Sequence, residues 1–153
     1  MHKTVHRYPM HHAAAVACAA VVLGLPSAAA AADIAWTSTR ISGTMASGKR
    51  TSESQAVFTN GDKADVSGAC TSGPPDDKGW ATSTCEAEFR FADGSRILMS
   101  YNARHDEKTL AANATGTFKG GKGRFEGITG TASGAGLSGK MQWTGTYTLP
   151  ARK

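Results

Sequence analysis

Hydrophobic and polar residues alternate along most of the chain after residue 33, and this period of two predicts half-buried β-strands. In residues 140–149, every second position from Met141 is apolar or glycine, whereas the positions between carry lysine, glutamine and threonine. No segment after residue 33 shows the spacing of an amphipathic helix. Strands are predicted at residues 34–45, 49–59, 63–70, 86–91, 96–104, 110–118, 124–133 and 140–149.

The DG turn at residues 93–94 sets the predicted register of the two strands beside it. Glycine supplies the positive φ angle that a short hairpin loop requires. A loop of odd length is expected there, with Phe91 beside Ile97 and Phe89 beside Met99. A shift by one residue would instead place these side chains on opposite faces of the sheet.

The NGD turn at residues 60–62 is of the same kind, and it is expected to place Ala56 and Phe58 opposite Val66 and Ala64, respectively. Eight short antiparallel strands joined by such turns predict an all-β fold, an eight-stranded antiparallel barrel of the calycin type. Closure of the barrel would leave no exposed sheet edge, which suits an exported protein.

Residues 1–32 have the three parts of a cleaved signal peptide. Lys3 and Arg7 come before an apolar run at 13–25 without an acidic residue, and small alanines precede the cleavage site. The apolar run is shorter than the ~20 residues of a membrane-spanning helix, so no membrane span is expected after cleavage. A buried N-terminal helix is the alternative. Residues 33–153 are predicted to be a single β-barrel domain that is exported, either periplasmic or secreted.

Charge and histidine content change once the signal peptide is set aside. The chain has 17 basic and 12 acidic residues, but Lys3 and Arg7 leave with the signal, so the domain keeps a net charge of only +3. These charges are scattered, which argues against nucleic-acid binding. Four of the five histidines also leave and His105 remains, so neither a metal site nor a cofactor is predicted.

Two cysteines, Cys70 and Cys85, remain in the predicted domain and indicate a disulfide in an exported protein. The bond would close a loop of about 16 residues and stabilise the fold by about 3 kcal/mol in the chain-entropy model. Pro74 and Pro75 exclude a central strand over residues 71–79, so this segment is predicted to be a loop whose ends the disulfide holds. A reactive thiol is the alternative.

Residues 116–136, GTFKGGKGRFEGITGTASGAG, hold eight glycines and approach two nucleotide-binding motifs. Residues 116–122 have the spacing of a phosphate-binding loop, but Gly123 stands where magnesium binding needs a hydroxyl. Residues 134–139 match the dinucleotide fingerprint, but the predicted strand 140–149 follows in place of the helix that would bind the pyrophosphate. Nucleotide binding is therefore not predicted, and the glycines are expected to permit bulges, tight coiling and close packing.

Two residues, Glu126 and Tyr101, are candidates for acid–base chemistry. A carboxylate inside a small barrel would have a raised pKa and could transfer protons. An outward-facing glutamate is the commoner arrangement, because unpaired glutamate is rarely buried. His105 lies beside Asp106 in RHDEK, residues 104–108, which is interpreted as a solvated hairpin loop. No residue is assigned a catalytic role.

The segment GKGRFEGITG, residues 121–130, resembles the G-x-G-x-F-x-G-x-x-G segment of the allene oxide cyclase and dirigent barrel superfamily. The final TGTYTL, residues 144–149, is similar to the end of that domain. The resemblance implies an eight-stranded antiparallel barrel that often self-associates, so a homo-oligomer is an expectation. In the plant relatives the cavity holds a hydrophobic substrate or a radical pair and steers ring closure or coupling. Their catalytic carboxylates cannot be placed on positions of this chain, so the activity does not carry over.

The predicted function is a binding or structural role, with a small apolar ligand held by the barrel interior. One alternative is a cofactor-independent isomerase or cyclase that acts by confining its substrate. Another is an envelope protein-interaction or inhibitor module, which a large exposed apolar patch would favour. The residues expected to line the pocket are aromatic or large and apolar: Trp36, Phe89, Met99, Tyr101, Trp143 and Tyr147.

Overall fold

The computed structural model describes residues 29–106 and 108–151. Residues 1–28, which contain nearly all of the predicted signal peptide, lie outside the described residues. The described chain forms eight β-strands and one short 3-10 helix. The strands are β1 (Ala32–Ala46), β2 (Lys49–Phe58), β3 (Lys63–Ser72), β4 (Trp80–Phe91), β5 (Arg96–Asp106), β6 (Ala111–Lys122), β7 (Thr129–Leu137) and β8 (Lys140–Thr148).

The eight strands form a closed antiparallel barrel, as the sequence predicts. Each strand pairs with its neighbours in sequence, and the pairing of β1 with β8 closes the sheet. The connections therefore alternate between the two ends of the barrel. We call the end with the β2–β3, β4–β5 and β6–β7 connections the closed end, and the opposite end the mouth. None of the helical structure in the described residues has the length and apolar character of a membrane-spanning helix.

The segment between β6 and β7 differs from the sequence prediction. The alternation predicts a strand over residues 124–133, but Gly123–Phe125 forms a 3-10 helix and β7 begins at Thr129. Gly123 and Gly127 have φ angles of 68° and 74°, which are left-handed and incompatible with an extended strand. The chain therefore leaves the sheet at this point, and this part of the prediction is wrong.

The β4–β5 hairpin has the odd-length loop that the sequence predicts, but its register differs by two residues. The Phe91 N–H donates to the Ser95 carbonyl, and Gly94 has a φ of 80°. Phe89 therefore lies opposite Ile97 and not opposite Met99, the partner that the sequence predicts. A type I turn followed by a left-handed residue closes a hairpin with three loop residues, two fewer than the prediction assumes. The inward faces are unchanged because the shift is even.

The β2–β3 hairpin departs from its predicted register in the same way. The Phe58 N–H donates to the Asp62 carbonyl across three loop residues, and Gly61 has a φ of 88°. Ala56 consequently lies opposite Ala64, again two residues from the partner that was predicted. Both hairpins thus contain the predicted left-handed glycine. In each, the loop is two residues shorter than predicted, so strand pairing extends closer to the turn.

The predicted disulfide joins Cys70 and Cys85, which lie directly opposite each other in β3 and β4. The ladder continues beyond this pair as far as Ser83 in β4, and β4 begins at Trp80 rather than at residue 86 as predicted. The proline-containing loop is therefore shorter than predicted. Its ends are held by strand pairing, and the disulfide lies further along the ladder.

Trp36 is the central member of the aromatic core inside the barrel. Its side chain is 3% exposed, and its ring centroid lies 5.4 Å from that of Trp143, with the two planes inclined by only 4°. The rings of Phe58 and Phe89 each lie 5.6 Å away, and that of Phe118 lies 6.4 Å away. Aromatic side chains bury large areas and gain further from such ring contacts, so this cluster dominates the packing of the barrel.

Residues 123–128, which we term the plug, cover the closed end of the barrel. The Phe125 ring centroid lies 4.9 Å from that of Phe91, and Ile128 is only 1% exposed. Both apolar side chains belong to the same buried cluster as the strand residues. The glycine-rich GKGRFEGITG segment therefore serves to turn the chain out of the sheet and to place two apolar side chains beneath the core.

Arg124 fastens the plug to the two neighbouring hairpins. Its guanidinium lies 4.8 Å from the ring centroids of Phe91 and Phe125. The same group forms ion pairs with Asp62 at 2.8 Å and Asp93 at 3.4 Å. Because these aspartates lie in the β2–β3 and β4–β5 connections, Arg124 links all three connections of the closed end.

Glycines on the inner faces of β6 and β7 leave room for aromatic rings. A Cβ atom on Gly134 would lie 2.5 Å from the ring of Trp143, and one on Gly116 would lie 2.7 Å from the Cβ atom of Tyr101. Non-bonded carbon atoms in packed proteins sit much further apart, at about 3.5–4.0 Å. Close packing, one of the roles that the sequence predicts for these glycines, is therefore confirmed.

We expect Gly134→Ala to lower the free energy of unfolding by about 1–3 kcal/mol, the usual cost of overpacking a core. The added methyl group would force either β7 or the Trp143 ring to move. Gly73→Ala is the matched control, because a Cβ atom there would lie 3.9 Å from its nearest neighbour, and its effect should stay within about 0.5 kcal/mol. Urea unfolding followed by circular dichroism measures both variants. Equal stability of the two would contradict the expectation.

Candidate functional site

A cavity of about 250 Å³ lies inside the barrel, between the aromatic core and the mouth. The β5–β6 and β7–β8 connections border it through Leu110 and residues 137–139. Along β1 and β2 its lining changes from apolar at the floor to polar at the mouth, whereas Leu110 and Leu137 border the mouth elsewhere. Concave sites with apolar walls and a few polar groups are typical of small-molecule binding, so this cavity is the candidate functional site.

Five of the six residues that the sequence predicts for a pocket line this cavity. The sixth, Tyr147, does not. It pairs with Gly130 of β7 toward the closed end and packs, half-buried, against the aromatic core. The five that line the cavity are Trp36, Phe89, Met99, Tyr101 and Trp143.

The inward-facing residues of β2 show the change from floor to mouth along a single strand. Phe58 and Ala56 are buried in the core, Ser54 and Ser52 are half-buried, and Arg50 stands nearest the mouth. They share one face because successive side chains of a strand point to opposite sides of the sheet. The two serines and the arginine all line the cavity.

Strand β1 repeats this order. Trp36, Ser38 and Arg40 occupy successive inward positions and all line the cavity. The Ser38 hydroxyl accepts a hydrogen bond of 3.2 Å from Trp143 Nε1, which satisfies that buried indole. Arg40 pairs with Ser54, and Arg50 lies four residues nearer the β1–β2 turn, where it pairs with Met45. Both arginines line the cavity, and the charges of both act on Tyr101.

Sequence reasoning did not identify the polar half of this site, Arg40 and Arg50 above all. A usable signal was present in the alternation of β2. Counting back by two from Phe58 passes through Ser54 and Ser52 before reaching Arg50. Alternation alone does not place these residues in the cavity, because polar residues of a strand usually face solvent.

Tyr101 lies on the cavity wall with its ring edge-on to Trp143, at a centroid distance of 5.5 Å. Its hydroxyl lies 3.8 Å from Cys70 Sγ. Burial raises the pKa of Tyr101 above its ordinary value of 10.0, although the positive charges of Arg40 and Arg50 act in the opposite direction. The phenol therefore stays protonated at neutral pH, where it can donate a hydrogen bond but cannot act as a base.

Positive charge prevails among the described groups at the mouth. Neither Arg40 nor Arg50 forms an ion pair with any carboxylate of the described residues. The Asp106 carboxylate also borders the cavity, but it accepts hydrogen bonds from the backbone N–H groups of Lys108 and Thr109, at 2.7 and 3.1 Å. The N–H groups of Thr109 and Lys108 hold the pKa of Asp106 below its ordinary value. Asp106 is therefore ionised and engaged by its own turn.

His105 belongs to a strand rather than to a loop. The sequence predicts a solvated loop over residues 104–108, but β5 continues to Asp106, and His105 pairs with Ala81 and Ala112. The side chain is half-buried and lines the cavity. The prediction is wrong here because the hairpin that begins at Asp106 is shorter than the predicted loop.

Glu126 lies in the plug at the closed end and is exposed, so it does not line the cavity. The buried polar side chains of the described residues are Ser83 and Ser95, and no carboxylate of that part of the chain is buried. Within the same residues, no three histidine, cysteine or acidic side chains gather as the ligands of a metal ion would. Of Glu126 and Tyr101, the described structure thus places only Tyr101 in the cavity wall, which His105 and Asp106 also line.

Comparison of the chain with protein-family models, with curated proteins and with solved structures finds no match. Membership of the allene oxide cyclase and dirigent superfamily therefore stays a prediction.

Proposed function

We propose that this protein binds a small, largely apolar molecule in the cavity of its barrel. The observation that carries the proposal is the cavity itself, a space of about 250 Å³ that side chains leave open directly above Trp36 and Trp143. An aromatic floor favours a flat apolar molecule, which gains both from removal of its surface from water and from ring contacts. The serines above the floor provide hydroxyls that can orient such a molecule.

The size of the cavity limits the ligand. Pockets for drug-sized molecules measure about 300–1,000 Å³, and this one lies just below that range. A molecule of one or two rings therefore suits it better than a long chain or a large cofactor. The open mouth allows a polar end of the molecule to reach solvent.

The isomerase or cyclase alternative loses Glu126, one of its two candidate residues, from the cavity. General acid–base catalysis requires a group that can take up a proton near neutral pH. Of the two candidates from the sequence, Tyr101 lies in the cavity wall as a donor with a raised pKa, and Glu126 lies at the other end of the barrel. His105 and Asp106 also line the cavity, so the isomerase or cyclase alternative stays a prediction. The protein-interaction alternative and the homo-oligomer stay predictions.

We also propose that the protein works in an oxidising compartment, as an exported protein of the periplasm or the medium. The Cys70–Cys85 disulfide supports this, because such bonds persist where thiols are not kept reduced. The signal-like composition of residues 1–32 is independent support from the sequence.

Filling the cavity is expected to abolish binding of a neutral aromatic probe, naphthamide. In Ser54→Phe the new phenyl ring would enter the cavity beside Val66, which pairs with residue 54, so we expect at least about tenfold weaker binding. Gln55→Phe is the matched control, because Gln55 is the next residue of β2 and points out to solvent. Isothermal titration calorimetry measures both, and thermal unfolding verifies that both variants fold. Binding of naphthamide by Ser54→Phe as tight as by the wild type would contradict the proposal.

A further inference from the structure

Resting on the proposed function, we infer that the ligand is a small aromatic acid whose anionic group is held by Arg40 and Arg50 while its ring lies on the floor formed by Trp36 and Trp143. The cavity has an aromatic floor, and Arg40 and Arg50 line its mouth together with Asp106, Leu110 and Leu137. A molecule that is apolar at one end and anionic at the other matches both ends at once. A neutral apolar molecule matches only the floor.

The position of the two arginines is the first observation that supports this inference. Both occupy inward positions of their strands, where residues closer to the core are serine, alanine or aromatic. An arginine on the outer face of the same strands would be solvated at no cost. Placing two of them inward, on adjacent strands, concentrates positive charge in a partly enclosed space where charges attract and repel more strongly than in open water.

The lack of partners for these two arginines is the second observation. Four other arginines of the described chain each pair with a carboxylate, at distances between 2.8 and 3.6 Å. They are Arg90, Arg96, Arg104 and Arg124. Arg40 and Arg50 have no such partner among the described residues, and the nearby Asp106 is engaged by its own turn. The planar guanidinium is well suited to a carboxylate, which it can bind through two parallel hydrogen bonds.

The interior between the two ends is the third observation. Ser52 and Ser54 lie between Arg50 and the core on β2, and Ser38 lies between Arg40 and Trp36 on β1. Trp36 Nε1 is buried and has no hydrogen-bond partner among the described residues. A polar substituent on the ring would therefore find hydroxyls along the wall, and one that reached Trp36 Nε1 would satisfy that buried donor. This arrangement favours a substituted aromatic acid over a plain hydrocarbon.

The experiment compares naphthoate with naphthamide, two probes of nearly the same shape that differ in charge. Calorimetric titration of the wild-type protein is expected to show that naphthoate binds about ten- to a hundredfold more tightly, the range for a hydrogen bond to a charged group. Arg40→Gln combined with Arg50→Gln should remove this preference. The affinity of this variant for naphthamide should stay within about twofold of the wild-type value. Arg90→Gln combined with Arg96→Gln changes the net charge equally on the outer face, and it should keep the preference.

The outcomes separate this inference from the proposed function. If the wild type binds both probes equally, the anionic ligand is wrong. If the Arg40 and Arg50 variant keeps the preference, the assignment of the anion to these arginines is wrong. The cavity proposal stands in both cases. If the Arg90 and Arg96 variant also loses the preference, the effect comes from overall charge and the assignment to the mouth is overturned. If the wild type binds neither probe, the proposed function fails and this inference fails with it.

The salt dependence of probe binding to the wild-type protein tests the same inference without a variant. Added salt screens exposed charges, so the affinity for naphthoate should fall as sodium chloride rises while the affinity for naphthamide stays constant. Should the double variant fail to fold, Arg40→Gln alone provides the comparison, because Arg40 is exposed at the rim. Parallel salt curves for the two probes would overturn the inference.

Discussion

Replacement of Trp36 by alanine is expected to lower the free energy of unfolding by about 3–5 kcal/mol, the range measured when large aromatic residues are truncated in cores. The Trp36 ring is almost completely buried and contacts four other aromatic rings. These neighbours lie on β2, β4, β6 and β8, so they cannot close the gap together without moving several strands of a closed sheet. Most of the lost packing should therefore remain as a cavity.

Trp80→Ala is the control for this prediction. Trp80 lies half-buried at the start of β4, where the Arg104 guanidinium stands 5.0 Å from its ring. A surface contact of this kind contributes about 0.5–1 kcal/mol, so the control should cost far less than Trp36→Ala. Unfolding by guanidinium chloride compares the two variants, each of which replaces one tryptophan by alanine. A similar loss in both variants would show that Trp36 is not the centre of the core.

Reduction of the Cys70–Cys85 disulfide is expected to cost about 3 kcal/mol of stability, because the bond closes a chain segment of about 15 residues in the unfolded state. The two cysteines are 15 residues apart and directly opposite in the ladder of β3 and β4, so the native barrel should keep its geometry after reduction. The loss should therefore come mainly from the unfolded chain, which gains freedom. Unfolding curves with and without reductant measure the difference.

Cys70→Ala combined with Cys85→Ala is the control for the reductant itself. This variant should be less stable than the oxidised wild type and should not respond to reductant. If the oxidised and reduced wild-type proteins unfold at the same denaturant concentration, the expected contribution of the disulfide is wrong. If the double variant responds to reductant, the measured difference has another cause and cannot be assigned to this bond.

The faces of the strands could be read from the sequence, whereas their exact partners could not. Phe89 and Ala56 face inward as the alternation predicts, because a period of two assigns every residue of a strand to one of two faces. Their cross-strand partners were each predicted two residues away from where they lie. A change of two residues keeps every face, so alternation alone cannot distinguish these registers; the length of the turn decides.

The candidate site is likewise predictable from the sequence only in part. Trp36, Met99 and Trp143 could be placed in a pocket from their size and their alternation alone. The arginines at the mouth and the shift of Tyr147 toward the closed end depend on how far along the barrel axis each strand lies relative to its neighbours. That stagger results from the closure of β1 onto β8 and from bulges such as the one between Arg40 and Ser42. These are non-local features that no single stretch of sequence contains.

The glycine-rich segment shows where local sequence stops being informative. Gly123 in place of a hydroxyl residue and the strand that follows the segment argued against nucleotide binding, because that outcome depends on residues next to one another. The segment's role as a plug depends on Phe125 meeting Phe91 and on Arg124 meeting Asp62 and Asp93, residues that lie far away in the chain. The sequence by itself therefore determined the number of strands, the inward faces of their apolar residues and the disulfide. Only the tertiary structure decided which end of the barrel is filled and which end keeps an open, positively charged cavity, because that outcome depends on contacts between distant residues.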